Sequence, residues 1–176
     1  MAGHNKWSKI KHKKAVTDAK KSREFSKLAR LLAVESKSCG GDPESPGLRA
    51  VIDKARAANM PKDNIERAIE KGRTDTGADL EALTFELYGP GGVALIVEAY
   101  SDNRNRTNQE LKHLLKQQGV ELAAPGSATW AFTRAGGGWQ PTTTVELSDA
   151  DLEQLSTLVE AIEEHEDVQS VTTNAA

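Results

Sequence analysis

The chain has 176 residues, of which 38% are hydrophobic and 28% charged, enough for one ordinary domain or two small ones. No stretch approaches the roughly 18 consecutive apolar residues of a membrane-spanning helix, which excludes a transmembrane protein and argues against a membrane partner. The first residues lack the apolar core of a secretion signal, and the single cysteine, Cys39, cannot form an internal disulfide. We therefore expect a cytoplasmic protein.

The charge is distributed unevenly. Residues 1–37 hold 11 Lys or Arg and 3 Asp or Glu, a net charge of +8, whereas residues 138–176 hold 9 Asp or Glu and no Lys or Arg, a net charge of −9. Such a separation would attract a polyanion to one end of the molecule and repel it from the other. Alternatively, the two charged ends of the chain are ordinary solvated surfaces without a binding role.

The first half of the chain predicts a helical domain behind a flexible arm. Residues 1–15 show no helical or strand periodicity, so we expect a flexible basic arm there. Residues 16–72 predict three helices, the last ended by Gly72. The expected inward side chains are Phe25, Leu28, Leu32, Leu48, Val51, Ile52 and Ala55. Residues 73–80 are expected to form a linker.

The second half, residues 81–176, predicts an α+β domain. From Val93 onward the predicted order is strand, helix, strand, strand, helix, strand, which is the ferredoxin-like order, with an extra strand in front. The predicted strands are 84–88, 93–97, 127–133, 142–147 and 168–173; the predicted helices are 103–118 and one capped by Ser148. The fold class is therefore α+β, a three-helix N-terminal domain followed by a ferredoxin-like domain.

Catalysis has little support. The glycine-rich segment at residues 89–92 lacks the Gly-Lys-Ser/Thr of a phosphate-binding loop, and a hairpin turn explains it. The four histidines are scattered without metal-ligand spacing, and no nucleophile motif is present. We expect no enzymatic activity, cofactor, metal or small-molecule substrate.

Nucleic-acid binding is better supported. Lysines in the arm would neutralise phosphates, and the Trp7 ring could stack on an unpaired base, worth about 1–3 kcal/mol. Alternatively, Trp7 and Ile10 pack onto the helical domain. The first predicted helix continues the basic character, with Lys20, Arg23, Lys27 and Arg30 on one face.

Arg104 and Arg106 lie at the start of a predicted helix, where they would suit phosphate or base edges. Helix capping by Asp102 or Asn103 is the interpretation that we favour there. Lys62 lies at another helix boundary. The candidate nucleic-acid-binding residues are Lys6, Trp7, Lys9, Lys11, His12, Lys13, Lys14, Lys20, Arg23, Lys27, Lys62, Arg104 and Arg106.

Several blocks in this order resemble the YebC family. The match runs from residue 1 to about 134 and resumes more weakly from about 142. The blocks are Met1-Ala2-Gly3-His4-x-Lys6-Trp7, Ile10-Lys11-His12-x-Lys14, Gly40-Gly41-Asp42-Pro43-Glu44, Ala58-Asn59-Met60-Pro61-Lys62-Asp63-Asn64-Ile65-Glu66-Arg67-Ala68-Ile69, Tyr88-Gly89-Pro90-Gly91-Gly92-Val93-Ala94 and Asp102-Asn103-Arg104-Asn105-Arg106-Thr107.

The resemblance implies a helical N-terminal domain and an α/β domain interrupted by an inserted third domain. It also implies DNA-binding transcriptional regulators or translational activators, some of which act on stalled ribosomes, without a cofactor or catalytic residue. The sequence departs from the family at residues 135–140, where a short loop replaces the insertion. We therefore expect a compact member that lacks the third domain.

Three functions follow from these observations. The favoured one is a translation factor that binds ribosomal RNA through the arm and first helix, because a flexible arm with Lys and Trp suits single-stranded or folded RNA. The sequence has no convincing recognition helix for duplex DNA, yet a DNA-binding transcriptional regulator using the same surface is the alternative. The third is a protein-interaction module acting through the acidic C-terminal unit.

Overall fold

A computed structural model of the chain describes residues 6–13, 18–76 and 79–176. The chain forms two compact units: a helical unit, Val16–Leu80, and an α/β unit, Met1–Ala15 with Glu81–Ala176. The helices are α1 (Lys6–Lys13), α2 (Asp18–Cys39), α3 (Pro46–Ala57), α4 (Lys62–Thr74), α5 (Arg104–Gln117) and α6 (Asp149–Glu163). The strands are β1 (Glu81–Tyr88), β2 (Ala94–Ser101), β3 (Phe132–Ala135), β4 (Gly138–Pro141) and β5 (Val168–Thr173).

The helical unit has the three predicted helices, α2 to α4. Its core confirms the predicted stripes: every expected inward residue is buried except Phe25, which is half-buried. The prediction that Gly72 ends the third helix is wrong, because α4 continues to Thr74. A Cβ atom on Gly72 would lie 2.2 Å from the carbonyl oxygen of Ala33, so this glycine permits close packing of α4 against α2.

The α/β unit is built on a three-stranded antiparallel sheet in the order β1-β2-β5. The second strand, β2, is buried on both faces. Leu95 and Val97 pack in the main core with α5 and α6, whereas Ala94 and Ile96 pack in a second cluster with Phe132. The last predicted strand, 168–173, coincides with β5.

The α+β class and the predicted element order, β2-α5-β3-β4-α6-β5 with β1 in front, are confirmed. The pairing differs from a single ferredoxin-like sheet, because β3 and β4 pair only with each other. Gly136 and Gly137 form the turn between them, with φ values of 59° and 80°. Positive φ at both central residues is typical of tight β-hairpins, so the glycines fix a hairpin where we expected a short loop.

Two predicted strands are misplaced for identifiable reasons. Residues 127–131 are not part of a strand, because the Glu86 carboxylate accepts hydrogen bonds from the backbone N–H groups of Ala128 and Thr129. Residues 142–147 form no regular strand, because the tight turn pairs the preceding segment, β4, with β3. The β-pairing of this stretch is limited to one isolated β-bridge, between Val145 and Ala175.

The expectation that the N-terminal arm lacks helical structure is wrong for residues 6–13, which form α1. Trp7 belongs to the main core of the α/β unit and is 8% exposed, and Ile10, one turn later, packs against the same core. The Trp7 backbone N–H also donates to the carbonyl oxygen of Ala176 at 3.4 Å. Tertiary packing with the C-terminal region therefore supplies the apolar contacts that the segment cannot make alone.

In the described ranges, no helix combines the length and apolar character needed to cross a membrane.

Candidate nucleic-acid interface

Helix α1 has one apolar face and one cationic face. Trp7 and Ile10 are directed into the α/β unit, whereas Lys6, Lys9 and Lys11 are exposed. The spacing of Trp7 and Ile10 places them on one side of the helix, so their burial leaves the lysines at the surface. The side chains of His12 and Lys13, and all of Lys14, lie outside the described part of the chain.

The lysines of α1 lie next to the acidic helix α6. Lys6 Nζ is 3.3 Å from Asp149 Oδ1, and Lys11 Nζ is 3.9 Å from Glu163 Oε1. The basic N-terminal segment and the acidic C-terminal helix are therefore in contact, and the spatial separation expected from their positions in the sequence is wrong. Both ion pairs are solvent-exposed, so each is worth only about 0.2–1 kcal/mol.

The burial of Trp7 contradicts its expected role as a stacking surface. With 8% of the residue exposed, the indole ring cannot present a face to a base without leaving the core. Its packing partner is also not the one considered in the alternative interpretation, since Trp7 packs in the α/β unit and not in the helical unit. In this structure Trp7 anchors α1.

The basic face of α2 is only partly accessible. Its four members are all half-buried, and each of them takes part in a polar or electrostatic interaction. They are Lys20, Arg23, Lys27 and Arg30. On α4, the exposed Lys62 forms an ion pair with Glu66 at 3.5 Å, and Arg73 pairs with Glu70 at 2.8 Å. Helix α4 thus has paired charges of both signs.

Arg106 is engaged by carboxylates. Its Nη2 atom lies 2.9 Å from Asp167 Oδ2 and 2.9 Å from Asp102 Oδ1, and the hydrogen bond to Asp167 raises the pKa of the guanidinium. Arg104 pairs with Glu81 at 3.2 Å. The Asn103 side chain caps α5 by accepting from the backbone N–H of Arg106 at 3.1 Å. This is the capping that we favoured, and the Arg106 guanidinium is held by Asp167 and Asp102.

Asp167 is the centre of a buried polar cluster that the sequence analysis missed. It is 3% exposed, and it accepts a 2.6 Å hydrogen bond from the Thr107 hydroxyl, which lies 2.6 Å from Ser101 Oγ. Arg106 balances the negative charge of Asp167. The hydrogen bonds of the cluster join the start of α5 to the segment before β5. No local sequence signal marks the cluster, since Asp167 lies 60 residues from Thr107 in the chain.

Ligand atoms of Glu110, His165 and Asp167 lie within 4.8 Å of one another, a spacing that could hold a metal ion. These groups already have protein partners, however. His165 Nδ1 accepts the backbone N–H of Asp167, its Nε2 lies 3.0 Å from Glu110, and Asp167 binds Arg106. A guanidinium bound to the same carboxylate as a metal ion would disfavour the ion electrostatically, so we assign the cluster a structural role.

An exposed aromatic that the sequence analysis overlooked lies beside β1. Trp130 is 63% exposed, and its Nε1–H donates to the Tyr88 hydroxyl at 3.0 Å, which in turn donates to the carbonyl oxygen of Ser127. The buried Glu86 carboxylate fixes the preceding loop by accepting backbone N–H bonds, including one from Gly126 at 2.6 Å. Trp130 therefore presents the accessible ring that we expected at Trp7.

Comparison with known proteins gives consistent matches along the chain. Residues 5–75 match the model described as the TACO1/YebC protein N-terminal domain, and residues 80–138 and 135–175 match the TACO1/YebC second and third domain. The last two segments meet at the β3–β4 hairpin, where the resemblance implied an inserted domain. In this chain the two strands at that point are joined by the tight glycine turn.

Named relatives support the same family. A probable transcriptional regulatory protein of Thermosipho africanus is 55% identical over 138 residues, covering 77% of this chain and 55% of the relative. One of Halothermothrix orenii is 46% identical over 165 residues, covering 93% of this chain and 63% of the relative. The chain therefore spans between half and two thirds of these relatives' length.

A solved structure matches over nearly the whole chain. The crystal structure of a conserved hypothetical protein from Aquifex aeolicus superimposes with a TM-score of 0.82 at 31% identity, covering 97% of this chain and 96% of that one. Together with the matches of both family models, this shows that the chain belongs to the TACO1/YebC family.

Proposed function

We propose that this chain is a non-enzymatic, cytoplasmic nucleic-acid-binding regulator of gene expression, and more specifically a translation factor that contacts ribosomal RNA. The observation that carries the proposal is the cationic face of α1, with three exposed lysines in a segment whose net charge is +8. In this proposal α1 and the basic face of α2 each contact phosphates.

Phosphate neutralisation supplies the affinity. Each lysine that meets a phosphate releases a condensed counterion, so binding needs no base-specific contact and weakens as the salt concentration rises. Burial of Trp7 and Ile10 keeps α1 helical and fixes its lysines on the surface before the nucleic acid arrives. A preformed cationic surface loses less conformational entropy on binding than a flexible arm would.

One feature favours RNA over duplex DNA. The exposed Trp130 offers a flat ring to an unpaired base, and such bases are available in ribosomal RNA loops but not in a duplex.

The second candidate is a DNA-binding transcriptional regulator that uses the same cationic surface. The observation in its favour is that the relatives are named probable transcriptional regulatory proteins. Sedimentation with purified ribosomes and retention of promoter fragments, both at near-physiological salt, distinguish the two candidates. The favoured proposal predicts co-sedimentation with ribosomes; tight, sequence-selective retention of duplex DNA without co-sedimentation would reverse the order.

The contact surface is tested by neutralising α1. The variant Lys6→Gln/Lys9→Gln/Lys11→Gln is compared with a control that loses the same charge from exposed lysines elsewhere, Lys54→Gln/Lys112→Gln/Lys116→Gln. With a labelled single-stranded RNA of about 20 nucleotides, we expect the α1 variant to bind at least about tenfold more weakly. The slope of log affinity against log salt should also fall by about 2, at roughly 0.7 per phosphate.

The control variant should bind within about threefold of the unaltered chain and keep its salt slope. Equal losses in both variants would mean that overall charge, and not α1, determines the affinity. Binding of cellular material that survives nuclease treatment and depends on α6 would favour the third function, a protein-interaction module.

A further inference from the structure

The lysines proposed to bind phosphate already have carboxylate partners within the same unit. Lys6 and Lys11 of α1 form ion pairs with Asp149 and Glu163, which are the first and last residues of α6. The two lysines therefore reach opposite ends of one acidic helix. Asp149 and Glu163 thus present to α1 the same kind of charge that the phosphates of a nucleic acid would present.

The polar and apolar contacts of α1 differ in how readily they can exchange. The side chains of the Lys6–Asp149 pair are 66% and 90% exposed, so a phosphate can reach this lysine without disturbing the core. Trp7, in contrast, is part of the main core. A bound polyanion can thus replace the carboxylates while the apolar face of α1 stays in place.

We propose that the acidic face of α6 is an autoinhibitory surface, on which Asp149 and Glu163 compete with nucleic-acid phosphates for Lys6 and Lys11 of α1. This inference rests on the proposed function. Its consequence is a lowered affinity for any polyanion, so that short or weakly charged nucleic acids are excluded. A dense array of phosphates, as in folded RNA, gains enough contacts to displace the carboxylates.

The test removes the competing charges and leaves the lysines unchanged. The variant Asp149→Asn/Glu163→Gln is compared with Glu121→Gln/Glu146→Gln, which loses two exposed carboxylates of the same unit for which the described residues provide no ion pair. Binding of the labelled single-stranded RNA is measured at about 50 mM and about 300 mM salt. Circular dichroism confirms that both variants stay folded.

We expect the α6 variant to bind about threefold to tenfold more tightly than the unaltered chain at low salt, the range that two exposed ion pairs can account for. The gain should shrink at high salt, and the control should change by less than about twofold. An unchanged affinity in the α6 variant, or an equal gain in both variants, would overturn the inference.

These outcomes separate the inference from the proposed function. If the unaltered chain binds RNA and only the expected gain is missing, autoinhibition is wrong while nucleic-acid binding stands. If neither RNA nor DNA binds to the unaltered chain or to the α6 variant, both proposals fail.

Discussion

Gly72 lies where α4 packs against the backbone of α2, and its role is steric. Replacing it with alanine places a Cβ atom 2.2 Å from the Ala33 carbonyl oxygen, so the two helices must separate. We expect Gly72→Ala to lower the free energy of unfolding by about 1–3 kcal/mol, despite the higher helix propensity of alanine. Urea unfolding followed by circular dichroism measures the change.

Gly47→Ala is the matched control. A Cβ atom there meets only the end of the flexible Glu35 side chain, which can move away. We expect this variant to be neutral or slightly stabilising. Equal destabilisation by both substitutions would contradict the steric explanation of Gly72.

Arg106 is expected to serve stability and not nucleic-acid binding. Arg106→Ala leaves the carboxylate of the buried Asp167 without its cationic partner, which should cost about 2–4 kcal/mol of unfolding free energy. RNA affinity of the folded variant should stay within about twofold. Arg104→Ala, which removes an exposed pair with Glu81, should cost less than about 1 kcal/mol. A stable Arg106→Ala variant with weakened RNA binding would restore Arg106 as a ligand.

At the scale of whole elements, docking of α1 depends on one side chain. We expect Trp7→Ala to detach α1, because Ile10 alone is only half-buried. The amide protons of α1 should then exchange with solvent hydrogen far faster, as measured by NMR or mass spectrometry. Trp130→Ala removes an exposed indole instead and should leave α1 protected. Retained protection in Trp7→Ala would show that the anchor lies elsewhere.

Elements with local signals were predicted well from the sequence. The apolar stripes around Leu28 and Leu48 identified the helical core, and Ser148 caps α6 by accepting the backbone N–H of Asp151 at 3.1 Å. These features depend on residues a few positions apart. The α+β class and the order of elements followed from the change in hydrophobic period after the linker.

Features that depend on distant partners were not predictable. Trp7 packs against residues that lie far away in the sequence, mostly in the second half of the chain. The residues next to Trp7 therefore do not reveal that this helix has a buried side. Glu86 binds the backbone of Ala128 and Thr129 and thereby prevents a strand that side-chain alternation alone favours. The candidate site differs from the predicted one for the same reason. The sequence identifies the lysines as a basic segment, but only the fold determines that Trp7 is buried and Trp130 is exposed.

Across the whole molecule, charge and apolar burial act together on α1. The ion pairs with α6 are exposed and therefore screened by salt, whereas the burial of Trp7 is not. We expect hydrogen-exchange protection of α1 to persist at about 1 M salt, where RNA binding is lost. Loss of protection at that salt concentration would mean that charge, and not apolar packing, holds the helix.

Ultraviolet crosslinking in living cells tests most directly whether this basic N-terminal segment binds nucleic acid. The attached nucleic acid is sequenced, and the crosslinked peptides are identified by mass spectrometry. The account predicts ribosomal RNA as the main crosslinked species, with adducts on peptides from residues 6–30 and around Trp130. The absence of any nucleic-acid adduct on the N-terminal peptides, with or without adducts elsewhere, would contradict it.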